Sequence, residues 1–170
     1  TPPEDRQPIL TLVREYDEGQ VALAIRRELL RDGQVFYVHN QVDTIHSVAA
    51  HLQELVPDAR IEVAHGQMSE RELEQAMLRF WQREIDVLVS TTVIEVGIDV
   101  PNATVMVIED ADRFGLSQLH QLRGRVGRGR HPGTCILIAD PSTPEGEARM
   151  AAMARTTDGC ELAQGDRELR

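Results

Sequence analysis

Residues 86–112 read DVLVSTTVIEVGIDVPNATVMVIEDAD. Two apolar runs, Val87 to Val89 and Thr104 to Ile108, flank a loop, and neither run alternates with polar residues. A strand that buries one face alternates, whereas a strand covered on both faces does not, and the second kind is typical of parallel sheets. The stretch therefore predicts two central strands of a parallel sheet, with a hydroxyl-rich loop leaving the carboxyl end of the first.

Working outward, similar runs occur at Ile9 to Val13, Val35 to Val38, Ile61 to Ala64 and Cys135 to Ala139. Most are separated by segments of helical period. Glu18 to Arg31 puts Val21, Ala24, Ile25 and Leu29 on one face. Val42 to Leu55 does so with Ile45, Val48, Ala49 and Leu52, and Ser69 to Arg83 with Leu73, Ala76, Met77 and Phe80. Ser69-Glu70-Arg71-Glu72 has the form of a capping box and predicts where the third helix begins. Strands alternating with helices predict an α/β fold with a doubly wound parallel sheet.

At 170 residues the chain suits one domain. The opening TPPEDRQP reads as a linker, and a further helix opens near Pro144 and ends within Thr156 to Gly159. The chain begins at Thr1 with no signal peptide, so it is expected to be a piece of something longer. No apolar run is long enough to span a membrane. Cys135 and Cys160 have no CxxC or Cys/His spacing around them, so two reduced thiols are expected and no metal site.

The net charge is −10, which alone discourages phosphate binding, but the charge is segregated. Between Arg113 and Ala139 there is no acidic residue, and Arg113, Arg123, Arg125, Arg128 and Arg130 fall within that stretch. Every one of the 18 basic residues is arginine. Without a lysine there is no Walker A loop, so this chain does not cradle nucleotide phosphates alone.

In an open α/β sheet, function collects in the loops beyond the carboxyl ends of the strands. That rule singles out HN at 39–40, HGQM at 65–68, STTVIEVGID at 90–99 and the segment after Ile108. Projected as one helix, Leu116 to Arg128 places Gln121, Arg125 and Arg128 on one face and Leu116, Leu119, Leu122 and Val126 opposite. Gly124 and Gly127 lie between the faces, where a ligand or another backbone can approach. Arg123 points to the apolar side and is expected to meet a buried carboxylate. The cluster fits a phosphate-bearing ligand or a partner holding one; a solvated basic helix is the alternative. Ser90, Thr91, Thr92, Gly97 and Asp99 fit phosphate oxygens and a ribose hydroxyl, or else a threonine-rich turn capped by Asp99. Glu109 and Asp110 end a Walker-B-like strand but are read as structural, or as partners for the arginines.

With these residues in view, the chain resembles the second motor lobe, the second RecA-like domain, of superfamily 2 helicases. QLRGRVGR at 121–128 is similar to motif VI, STTVIEVGIDVP at 90–101 to motif V, and VFYVHN with HGQM to the motif IV region. The longer LSQLHQLRGRVGR resembles two bacterial DNA translocase families, Mfd and RecG. The first 85 or so residues look more like the former, and the remainder more like the latter. A mosaic, a designed sequence and an intermediate relative all fit that division.

The resemblance implies three segments: 1–15 as linker and first strand, 16–155 as the RecA-like helicase domain, and 156–170 as the start of a translocation-coupling helical hairpin. It implies catalytic roles for Arg125 and Arg128 as arginine fingers, and nucleotide contacts from Gln121, Asp99 and Gly97. It implies that Thr91, Thr92, His65, Gly66 and Asn40 face DNA. The implied cofactor is ATP with magnesium, bound mainly by a first lobe outside this chain, so no activity is expected of the chain alone. The implied partners are double-stranded or branched DNA, a first RecA-like lobe and, through other domains of an Mfd-like parent, RNA polymerase. The implied location is the bacterial cytoplasm. A non-catalytic α/β module that binds nucleic acid or protein through its arginines is the competing reading.

Overall fold

The computed structural model describes residues 9–92, 103–126, 133–140 and 143–155. The strands are β1 (Ile9–Arg14), β2 (Gln34–Val38), β3 (Ile61–Ala64), β4 (Val87–Ser90), β5 (Ala103–Ile108) and β6 (Gly133–Ile138). The helices are α1 (Glu18–Leu30), α2 (Ile45–Leu55), α3 (Glu70–Trp81), α4 (Leu116–Arg123) and α5 (Pro144–Arg155). The described strands form one parallel sheet in the order β1-β6-β5-β2-β4-β3.

Alternation along each strand divides the core into two layers. Val35, Tyr37, Val87, Val89, Val105 and Val107 meet α1 and α2 on one face. Phe36, Val38, Leu88, Met106, Ile108 and Leu137 meet α3, α4 and α5 on the other. Right-handed crossovers account for this division: the chain moves one way along the sheet through α1 and α2, then reverses after β3. The doubly wound parallel sheet expected from the apolar runs is the fold observed.

Local chemistry sets the helix starts. The Asp17 side chain accepts from the Gly19 and Gln20 amides at the head of α1. At α3 the Ser69 hydroxyl and Glu72 carboxylate each accept the other's backbone amide, completing the capping box. The second helix starts later than its apolar pattern predicts, at Ile45, because residues 42–44 are a turn. The arginine helix also ends early. The α-helix stops at Arg123, and beyond it the Arg125 and Val126 amides reach back only three residues, to Leu122 and Arg123. Glycine at 124 and 127 lowers helix propensity by about 1 kcal/mol at each position, so the chain tightens where the glycines begin. The α-helical projection thus holds for Gln121 and not for Arg125, while Arg128 lies outside the described residues.

Candidate nucleotide- and DNA-facing surface

Three neighbouring strands, β2, β4 and β3, end side by side, and their exits are tied together. The His39 amide donates to the Ser90 carbonyl, and the Thr91 amide to the Ala64 carbonyl. Asn40 follows β2 and Thr92 follows β4. The Thr92 amide and hydroxyl both donate to the Asn40 carboxamide oxygen, at 3.2 and 3.0 Å. With that oxygen engaged twice, the amide nitrogen of Asn40 remains the group to donate elsewhere. Thr91 is buried, and its hydroxyl meets no partner among the described residues. His65 and Gly66 occupy the turn after β3, where Gly66 is exposed and His65 half-buried. Asn40, Thr91, Thr92, His65 and Gly66, all singled out from sequence, are thus brought to one rim.

Behind this rim lies a network that the sequence reading passed over. The buried Tyr37 hydroxyl donates to one oxygen of Glu109, and His39 Nδ1 meets the other at 2.9 Å. An ionised carboxylate only accepts, so Nδ1 carries the hydrogen. His39 Nε2 pairs with the Thr44 hydroxyl at 2.7 Å. Burial, and then the charge of Glu109, push the Tyr37 phenol far above its ordinary range, so it remains a donor. Glu109 is therefore structural: it joins the end of β5 to the end of β2 through Tyr37 and His39. The signal was its place beyond a strand, directly across from the HN dipeptide.

The arginine segment leaves the sheet on the other side. Leu119, Leu122 and Val126 are buried, Gln121 is exposed and Arg125 half-buried. Arg123 is 1% exposed and donates to the Thr11 hydroxyl. A hydroxyl on the first strand is thus one of its partners, where a buried carboxylate was the expectation. Gly97 and Asp99 fall outside the described residues, as does Arg128.

A family model described as the helicase conserved C-terminal domain matches residues 20–130. The chain belongs to that family. As a helicase C-terminal domain it is 52% identical, over its whole length, to a transcription-repair-coupling factor of Mycobacterium tuberculosis. It is 49% identical over its whole length to that of Staphylococcus aureus. It spans only 14% and 15% of those relatives. A solved structure of RecG bound to a three-way DNA junction matches with a TM-score of 0.83 and 40% identity, over 99% of this chain and 23% of that one. Both halves of the chain are thus covered by one set of relatives. Membership implies nucleotide binding. No helix among the described residues is long and apolar enough to cross a membrane.

Proposed function

We propose that this helicase C-terminal domain serves as the second motor lobe of an ATP-dependent double-stranded DNA translocase acting in repair. The observation that carries the reading is the shared rim, where Asn40 and Thr92 are locked together beside Thr91, His65 and Gly66. The carboxamide nitrogen of the exposed Asn40 and the imidazole of the half-buried His65 suit a phosphodiester backbone, which is gripped without regard to base sequence.

ATP with magnesium, held mainly by a first lobe, supplies the phosphoanhydride whose hydrolysis drives the cycle. Arg125 and Arg128 reach across the cleft between lobes and stabilise charge developing on the terminal phosphate. The chemistry of the donors fits, because guanidinium forks match phosphate oxygens. Gln121, exposed on α4, reports the state of the nucleotide, while Asp99 and Gly97 contact the ribose or link the lobes. The rim residues hold one strand as the cleft closes and regrip it on opening.

In this reading residues 1–15 enter from the first lobe, 16–155 form the motor domain, and 156–170 begin a hairpin that couples its movement to DNA. Double-stranded or branched DNA is the substrate, the location is the bacterial cytoplasm, and RNA polymerase engages other domains of the parent protein.

The test is ATP hydrolysis by this chain mixed with a first lobe from a relative, with duplex DNA, for the wild type and for Arg128→Ala. Activity that vanishes in the variant supports the reading. No activity, with the lobes shown to associate, favours a binding module without an ATP cycle.

A further inference from the structure

We propose that the face of the sheet over β1 and β6, on the side of α1, is a groove that docks one amphipathic helix of a protein partner. None of the residues that line it belongs to the rim.

The two faces of the sheet are covered unequally. Neighbouring strands lie about 4.8 Å apart and a helix with its side chains is about 10 Å across, so one helix covers two strands and six strands take three. On one face α3, α4 and α5 supply the three. On the other face, among the described residues, α1 packs over β5 and β2, and α2 over β4 and β3. That leaves β1 and β6 one helix short.

Alternation along β1 shows the consequence. Ile9 and Thr11 point to the face that α4 and α5 cover, and are 3% and 4% exposed. Leu10 and Leu12 point to the other face, where Leu10 is 54% exposed and Leu12 half-buried. Leu23, on the α1 wall of the groove, is 49% exposed. With Ala24 and Ile136, these leucines line one hollow of about 250 Å³. Small ligands are held in pockets of about 300–1,000 Å³, so the hollow suits a ridge of side chains instead. Leucines exposed together mark a surface that is covered in use.

The charges at the two ends select the helix. Glu15 and Asp17 stand where α1 begins, and Arg27 and Arg31 where it finishes. Arg14, at the first end, is turned to the carbonyl of Val13. Glu28, at the second, is buried and accepts from the Thr104 hydroxyl. The partner helix therefore carries carboxylates opposite Arg27 and Arg31, and cations opposite Glu15 and Asp17. Carboxylates favour a helix start and cations its end, so the partner runs antiparallel to α1. A nucleic acid is excluded as occupant, because its charge has one sign and the floor is leucine.

The experiment measures, by fluorescence anisotropy, binding to this chain of a labelled peptide of about 18 residues, long enough to be helical. It has leucines at helical spacing, glutamates in its first turn and arginines in its last. A second peptide has glutamines in place of the charges, and a third has the same composition with the leucines scattered. The first should bind, and the third should bind at least about tenfold more weakly. Leu10→Glu and Leu23→Glu, both at exposed positions, should each weaken the first by about tenfold and leave the unfolding midpoint nearly unchanged. Arg27→Glu should weaken the first peptide about threefold and the glutamine peptide not at all. No binding of the first peptide, equal binding of the scattered one, or leucine variants that bind like wild type overturn the proposal. So does an Arg27→Glu variant that affects both striped peptides alike. Light scattering of the chain alone gives the last outcome: a dimer that Leu23→Glu dissolves would show a second copy in the groove and overturn the partner helix.

Discussion

Arg123, the most voluminous fully buried side chain among the described residues, donates from Nη1 to the hydroxyl of Thr11 at 3.1 Å, across 112 positions of sequence. The bond fastens the end of α4 to the edge strand β1. Replacing Arg123 by Met leaves the Thr11 hydroxyl without this donor and loosens the packing against α4. The expected loss is about 2–4 kcal/mol of unfolding free energy. Urea unfolding monitored by circular dichroism measures it, and a change within about 0.5 kcal/mol would show that the bond is dispensable.

Arg125 contrasts with its neighbour two positions earlier, because it is half-buried in the turn after α4. Arg125→Ala in the two-lobe mixture should lower DNA-stimulated ATP hydrolysis by about 10³-fold while leaving the unfolding midpoint of this chain nearly unchanged. Activity and unfolding are both to be measured. A loss of activity that tracks a loss of stability would make Arg125 a structural residue.

Asp86 and Arg60 set an acid-sensitive element of stability. Burial alone would raise the Asp86 pKa, but the Arg60 side chain and amide outweigh it, with bonds of 2.8 to 3.1 Å, and hold the carboxyl below its ordinary range. A carboxyl depressed in the folded state stabilises the fold above its unfolded pKa, and that contribution is lost as pH falls through the folded value. Stability should therefore decline below about pH 4, and Asp86→Asn should flatten its share of that decline. Because Arg60 is exposed, the share is modest. Thermal unfolding of both forms from about pH 7 to about pH 3 provides the comparison; parallel curves would count against the pairing.

Gly33 follows α1 where the buried Glu28 carboxylate accepts from the Thr104 hydroxyl. A Cβ on Gly33 would lie 2.5 Å from the Glu28 oxygen and 2.7 Å from that of Thr104. Gly33→Ala should thus force the pair apart, with a loss of about 1–3 kcal/mol. Double-mutant cycles with Thr104→Val report whether the clash is with that pair: additive effects would place the strain elsewhere.

Much of the candidate site was legible because it sits on local patterns. The apolar runs at 35–38 and 87–89 locate strand ends, and the loops after them are where Asn40, Thr91 and Thr92 were found. Helix starts at Asp17 and Ser69 follow from side chains that bond amides two or three residues away. Glu109 was recognised at the end of its strand, but its partners Tyr37 and His39 lie about seventy residues earlier. No spacing rule reaches that far.

By itself the sequence determined the elements, their parallel burial and the loops that carry chemistry, since these depend on residues within a turn or two of one another. The tertiary structure decided which strand exits are neighbours, and hence that Asn40 locks to Thr92 and Arg123 reaches Thr11. These outcomes follow from strand order, which is a property of the assembled sheet.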